Sequence, residues 1–541
     1  MAECKSAHTM LSPELPAEDS SPIKIFWDGD ADPSNPKNWS AIRRWWHVIL
    51  VSIVTFVTSL ASSMLAPAVP DVMDSLHSDN AELESFVVSI YVIGFAVGPL
   101  VVAPLSELYG RAIVYHVSNV IFLGATIGSA LSTNVGMFLA FRLLSGCAGV
   151  TPLALGGGSI SDLLEPEQMG TAMAIWGLGS LIAPVFAPIA GGYLSEDVGW
   201  RWIFWVIVIP MGILTILFPF LIQETYAPVL LERKASRLRK STGNPNFKSK
   251  LARDIGVSQR RYILQTMIRP LWYLVTSPIL MLLALNVAVV YGYQYLVFTT
   301  LSYIFQETYG LSSGTSGLVY LGNGIGSVLG VFIIGYASDK VTARRKRKLE
   351  QEYHDQQQDQ QLELPPWNLG TAANAPSTTT PTPTSTPNKP TIPPSSFLWP
   401  MIPSSILVPP SLLWYGWSLQ HKTHPVLPLV GLGVFGFAMM GIFQPPQIYV
   451  VNAFGGRDGE GGGHGASALA GVQVLRSLVG ALLPLGGRGL YDALGMGWGD
   501  SLLAFISLAL VPVPVLLVLY GERLRGVRFW GRGRKGGIGD V

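Results

Sequence analysis

Ala103–Arg111 reads APLSELYGR, directly after the apolar run Phe86–Val102, FVVSIYVIGFAVGPLVV. A segment this greasy that ends in Glu107, Gly110 and Arg111 raises a question of solvent. In a soluble protein the run belongs to a core and the charges could sit anywhere. In a bilayer the same order reads as a helix arriving at water: apolar residues for about 20 positions, then a tight turn, then charge.

Composition favours the bilayer. Of 541 residues, 49% are hydrophobic and 13% charged, and the mean hydropathy is +0.39. Ordinary globular domains carry about 25% charged residues. A net charge of +2 says little about partners, but there is no blanket of Lys and Arg as a nucleic-acid binder would show. Cys4 and Cys147 cannot build a secreted disulfide framework. The first apolar segment begins near Trp45, behind an acidic, Pro-rich leader, which is too late for a cleaved signal peptide.

Twelve windows are apolar enough to cross: 45–66, 85–105, 112–132, 136–160, 171–194, 202–222, 277–304, 316–338, 397–418, 425–450, 466–487 and 499–521. Their interiors hold no Asp or Glu, so no carboxylate is expected mid-membrane. With the N-terminus inside, the inner segments collect Lys5, Lys24, Lys37, Arg43, Arg44, Arg111, the Arg233–Arg269 and Lys340–Lys348 clusters, Lys389, Arg457 and Arg523–Lys535. Only Arg201, Lys422 and Arg488 fall outside, with Arg142 and Arg476 within spans. The positive-inside rule selects this orientation, with both termini cytoplasmic. The alternation requires 397–418 to cross despite its prolines.

The expected fold is an all-α membrane protein of two pseudo-symmetric six-helix bundles. Residues 1–44 are a cytoplasmic tail, 45–222 the first bundle, 223–276 a basic, partly helical linker, 277–521 the second bundle, and 522–541 a second tail. The inner segment of about 341–396 runs through QEYHDQQQDQQLE into STTTPTPTSTPNKPTIPPSS. Such Gln- and Thr/Pro-rich sequence reads as a disordered insertion. The halves echo each other: APLSELYGR after span two against GYASDK (335–340) after span eight, and APIAGGYL (187–194) against LLPLGGRGLY (482–491). A parallel repeat of this kind marks transporters whose binding site lies between the halves.

Several motifs now resemble the major facilitator superfamily, and specifically its twelve-span drug:proton antiporter family in fungi. APLSELYGR is similar to the loop after helix two, through Leu105, Glu107, Gly110 and Arg111. LASSMLAPAVP (60–70) resembles the first-helix motif through Leu60, Pro67 and Pro70. LAFRLLSGCAG resembles the fourth-helix motif through Arg142 and Gly146, and WGLGSLIAPVFAPIAGGYL the fifth-helix antiporter motif through Pro184, Pro188, Gly191 and Gly192. The last departs from the family pattern in having Ala174, Ala183 and Ala187 for Gly. DPSNPKNWS, GWRWIFW and ETYAPVLLERKASRLRK carry the fungal resemblance.

The resemblance implies a fold, an activity and roles. Glu107, Gly110, Arg111 and Asp162, with Asp339 after span eight, form a conformational charge network at the inner surface. Arg142, an intramembrane Arg that costs at least ~2.5 kcal/mol to insert, takes part in proton coupling. Polar and aromatic groups of spans one, seven and ten line the substrate cavity: Ser62, Ser63, Asn286, Tyr291, Gln294, Tyr295, Phe437, Met440, Phe443, Gln444 and Gln447. The expected activity is export of drugs, fungicides or secondary metabolites by proton antiport, from a monomer in the plasma membrane. The expected partners are a small organic substrate, protons and lipid, with no nucleic acid, cofactor, metal or enzymatic chemistry. A nutrient importer on the same fold is the alternative, although QETYAP stands where sugar porters carry P-E-S-P-R. A non-transporting receptor is the second alternative. GLGVFG (431–436) lies within an apolar span with no strand before it, so it is helix packing and no dinucleotide loop.

Overall fold

The computed structural model describes residues 23–29, 31–78, 80–251, 259–362, 394–454 and 465–525. The first six spans are Ala41–Ser63 (continued by Ala66–Ala68 and Val69–Ser75), Ala81–Tyr109, Arg111–Ala130, Val135–Gly149 with Thr151–Leu163, Pro166–Asp197, and Arg201–Leu221. The second set is Pro278–Tyr309, Ser313–Leu318 with Tyr320–Leu362, Met401–Gln420, Val426–Phe454, and the pair that starts at Gly465. Among the described residues, eleven stretches are long and apolar enough to cross a membrane, and the last, Ser467–Gly521, has 55 residues. At about 1.5 Å per residue it reaches roughly two bilayer widths. Gly495, at φ 74°, breaks it into spans eleven and twelve.

Each span divides its faces by solvent. In span six, Ile203, Phe204, Ile207, Met211 and Phe218 are buried, while Ile209, Ile213, Ile216 and Phe220 are exposed. Exposed apolar rows of this size belong against lipid chains. The inward rows build one core per half: Val54, Tyr91, Phe122, Phe138 and Phe204 in the first, Leu283, Val287, Leu301, Phe435 and Ala438 in the second. Lipid offers no hydrophobic gain for pairing helices, so small residues must supply close contact. Gly322, Gly326 and Gly330 of span eight lie against the backbone of Leu429, Gly433 and Phe437 in span ten, where a Cβ would overlap it.

Two expectations change. The segment from 341 does not leave the helix at the membrane, because span eight continues as one helix to Leu362. Lys, Arg, Gln and Glu are good helix formers, and a span already formed removes the cost of nucleation. Residues 363–393, the rest of the expected disordered insertion, lie outside the described residues. Nor is 23–44 a free tail. Ile23–Ile25 pairs in parallel with Phe247–Ser249 of the linker, Ile23 opposite Phe247. The linker itself forms the helices Ala227–Thr242 and Gln259–Thr276, as its sequence pattern suggests.

Asp32 of the DPSNPKNWS stretch organises this docking. Its carboxylate accepts from the Asp28 and Ser34 amides, both at 2.8 Å. Lys234 of the linker donates to Asp28 at 2.7 Å and lies 3.5 Å from Asp32. Those amide hydrogen bonds first, and Lys234 after them, lower the Asp32 carboxyl to about 2. A depressed acid stabilises the docked leader above the ordinary carboxylate range, near pH 4, and that contribution is lost as pH falls from there through about 2. Asp32→Asn should therefore raise hydrogen exchange across Phe26–Asn38 at neutral pH and leave the twelve spans unchanged. Unaltered exchange in this segment would exclude Asp32 as its anchor.

Candidate functional site

At the inner end, Gly110 joins span two to span three at φ 104° and ψ 159°, a region essentially reserved for glycine. The turn aims the first amides of span three at Glu224, just past span six. Glu224 accepts from Arg111 N at 2.9 Å and Ala112 N at 3.2 Å. It also accepts from its own following amides, Thr225 and Tyr226. A carboxylate at a helix N-terminus satisfies orphan donors and the positive end of the dipole. A Cβ on residue 110 would strike the Glu224 carboxylate. The Arg111 side chain turns the other way, 3.4 Å from Asp162 and 2.9 Å from Ser106, with Tyr226 under its guanidinium.

Of the residues expected at this network, the structure brings Arg111 and Asp162 together beside the Gly110 turn, and adds Glu224, which sequence reasoning missed. Glu107 is half-buried on the same turn of span two. The side chain of Asp339 lies outside the described residues. ETYAPVLLERKASRLRK contains Glu224, but only the fold shows which helix its first residue caps. Arg111, Asp162 and Glu224 all belong to the first half or to the linker that follows it, so their contacts tie spans two, three, four and six together.

At mid-membrane, Arg142 is 1% exposed. Its Nη1 donates to the Ala61 carbonyl of span one at 2.8 Å, and the guanidinium lies 4.6 Å from the Tyr91 ring centre. Tyr91 in turn donates to the Thr58 carbonyl. Ser62, Ser63, Asn286, Tyr291, Gln294, Tyr295, Met440 and Phe443 are buried, and Phe437 is half-buried against span eight. Gln444 and Gln447 are exposed, towards the inner end of span ten. Tyr291 packs on Tyr295 at 4.9 Å and edge-on to Phe443 at 5.5 Å, so spans seven and ten share one aromatic wall.

At the outer end the two halves touch. Gly191 lies against the Met64 backbone of span one, and Gly192 against Ser313 at the start of span eight. Pro188 meets Gly317 and Val185 meets Gly324. Smallness in the fifth-helix motif therefore serves contact with both halves, and Ala183 and Ala187 remain fully buried there. Glu196 accepts from the Gly314 amide at 2.6 Å, and Arg488 pairs with Glu84 at 2.7 Å while covering the Tyr303 ring.

Asp500 corrects the expectation of no carboxylate within the membrane. It stands second in the last apolar window, 499–521, expected to be free of Asp and Glu, and it is 1% exposed. Tyr491 donates to its Oδ1 at 2.9 Å, and Gly416 of span nine leaves the room it occupies. The turn at Gly495 folds the chain so that the residues on either side of it bury this group.

Gly110→Ala combines a strained backbone, worth ~1–3 kcal/mol, with displacement of Glu224. We expect a lowered thermal midpoint of the purified protein and reduced surface expression. Glu224→Gln keeps the space and should cost less. A Gly110→Ala protein as stable as the parent would remove the close-approach explanation.

Comparison with known proteins accords with this geometry. Residues 51–349 match the family described as Major Facilitator Superfamily. The "Efflux pump radE" of Floropilus chiversii is 41% identical over 508 residues, 94% of this chain and 86% of that protein. The "MFS transporter cpaT" of Aspergillus oryzae is 41% identical over 529 residues, 96% of each. "MFS-type transporter penM" of Penicillium rubens is 42% identical over 93% of this chain and 90% of its own. Among solved structures, the E. coli xylose transporter XylE in a partially occluded inward-open conformation aligns with a TM-score of 0.57 at 12% identity. It covers 91% of this chain and 100% of its own, a likeness in fold alone. Matched by the family over more than half its length and by these relatives over nearly all of it, the chain is a multi-pass membrane protein that belongs to the major facilitator superfamily.

Proposed function

We propose that this chain exports a small organic molecule, a secondary metabolite or toxin, from the cytoplasm across the plasma membrane by proton antiport. The observation that carries the reading is the 41% identity to an efflux pump over 94% of the chain. The geometry supports alternating access. The halves meet at the outer end through small residues and two carboxylates, and the cavity residues lie between that contact and the inner surface. Arg142, held by a span-one carbonyl and buried in apolar surroundings, is the coupling residue. Its remaining donors can follow a proton-dependent change in its neighbours. Both termini are cytoplasmic.

The test is expression in a pump-deficient yeast, scored for resistance and for extrusion of preloaded compounds over a toxin panel. Export that collapses with the proton gradient is the expected result; net uptake would turn the reading into an importer. Arg142→Ala should abolish extrusion while the protein still reaches the membrane. Arg142→Lys should restore little, because Lys lacks the planar fork of donors. Full extrusion by Arg142→Ala would remove the coupling role.

The Glu84–Arg488 pair stands at the outer contact between halves. Both side chains are about one-third exposed, and exposed pairs are worth ~0–1 kcal/mol, at most about a fivefold change in a two-state population. Glu84→Arg or Arg488→Glu should raise labelling of a cysteine placed in the cavity by an external, membrane-impermeant thiol reagent. The double exchange should return it to the parental level. Equal labelling in all four proteins would show that the pair does not bias the outer closure.

A further inference from the structure

We infer that the cargo carries a carboxylate or comparably acidic oxygen on an aromatic or polycyclic body, and that Arg476 of span eleven holds the charged end. The inference rests on the exporter reading and deepens it. Arg476 lies in the apolar helix Gly465–Leu482. Its guanidinium stacks 4.5 Å from the centre of Tyr291 and 5.4 Å from that of Phe443. Ring faces engage the plane of a guanidinium, whereas its N–H donors point outward along the edge. Among the described residues its buried Nε has no acceptor, and it forms no ion pair with a carboxylate. Gly480, one turn further on, lies in contact with the Tyr291 ring, and a Cβ there would collide with it. The same face of span eleven thus presents the cation and admits the aromatic wall.

A second cation faces this wall from the other half. Tyr295 packs on Tyr291 and stands within electrostatic range of both Arg142 and Arg476. Arg142 has one donor engaged by Ala61, while its Nε and Nη2 have no acceptor among the described residues. A buried guanidinium, Arg142, and a half-buried one, Arg476, stand near one aromatic surface, and their buried donors without acceptors are costly in a low-dielectric site. A carboxylate supplies acceptors in the bidentate geometry that a guanidinium matches. A neutral apolar cargo leaves the donors unsatisfied, and a lipophilic cation is repelled. The aromatic faces of Tyr291, Tyr295 and Phe443 suit the body of such a molecule. The membrane potential of a cell, negative inside, also drives an anion outward.

The experiment uses the full chain in lipid nanodiscs, with empty nanodiscs as the correction for partitioning. Two fluorescent probes of one shape are titrated at neutral pH: anthracene-9-carboxylate and anthracene-9-carboxamide. The acid is expected to bind about tenfold or more tightly than the amide, as hydrogen bonding to a charged group would give. Arg476→Gln should bring the acid to the level of the amide and leave the amide within twofold; Arg476→Lys should retain part of the preference. Equal affinity in the unmodified protein, absence of binding by both, or a preference undiminished in Arg476→Gln would overturn the inference. The comparison within the unmodified protein decides the matter even where the variants fail to fold. A chain that extrudes neutral toxins from yeast without preferring the acid keeps the exporter reading and loses this one. A chain that prefers the acid in nanodiscs and extrudes nothing keeps this one and loses the exporter reading.

Discussion

Backbone-to-backbone contact at small residues is the constraint on which the rest depends. Helices in hydrocarbon gain nothing from hiding apolar surface from lipid, so dispersion and close approach must hold them. The stripe Gly322, Gly326, Gly330 seats span eight on span ten, and Gly94 of span two meets Gly146 of span four in the same way. In span five, Gly191 and Gly192 face different helices in opposite halves. The first contact consolidates one bundle, and the second joins the two bundles at their outer ends. A fold with intimate contact within each half, joined between halves where span two meets span eleven and span five meets span eight, can move as two bodies.

Charge is placed around this frame by what it costs. At the inner surface, Glu224 meets the exposed amides of span three and Asp162 meets Arg111, so each ion has a partner at the edge of water. At the outer surface, the pairs that cross between halves are partly exposed and individually weak, which suits contacts that must form and break. Between the two surfaces the described charges are arginines against aromatic rings, apart from Asp500, which is enclosed within the second half. The middle of the molecule is therefore positive and aromatic, and at the two ends ions of opposite sign meet.

Much of this was legible in residues taken singly. Window hydropathy located the spans, including 397–418 with its prolines, because a bilayer imposes one length on every crossing. APLSELYGR announced a turn and a charge at the inner surface, and the turn is there because Gly110 adopts a backbone that other residues avoid. The Gln-rich stretch after Lys348 misled, since composition alone cannot see that a helix already formed in the membrane will propagate through good helix formers to Leu362.

By itself the sequence determined where the long apolar helices lie and the residue types at the Gly110 turn. Those follow from solvent and backbone geometry, which act locally along the chain. Tertiary structure alone decided the partners: Glu224 for the start of span three, Glu84 for Arg488, Ala61 for Arg142, Tyr291 for Arg476, Tyr491 for Asp500, and the leader strand for the linker. Most of these join residues far apart in the chain, and for Asp500 it was burial that the sequence hid. Pairing energies depend on distance and on the local dielectric, and both exist only once the helices have packed.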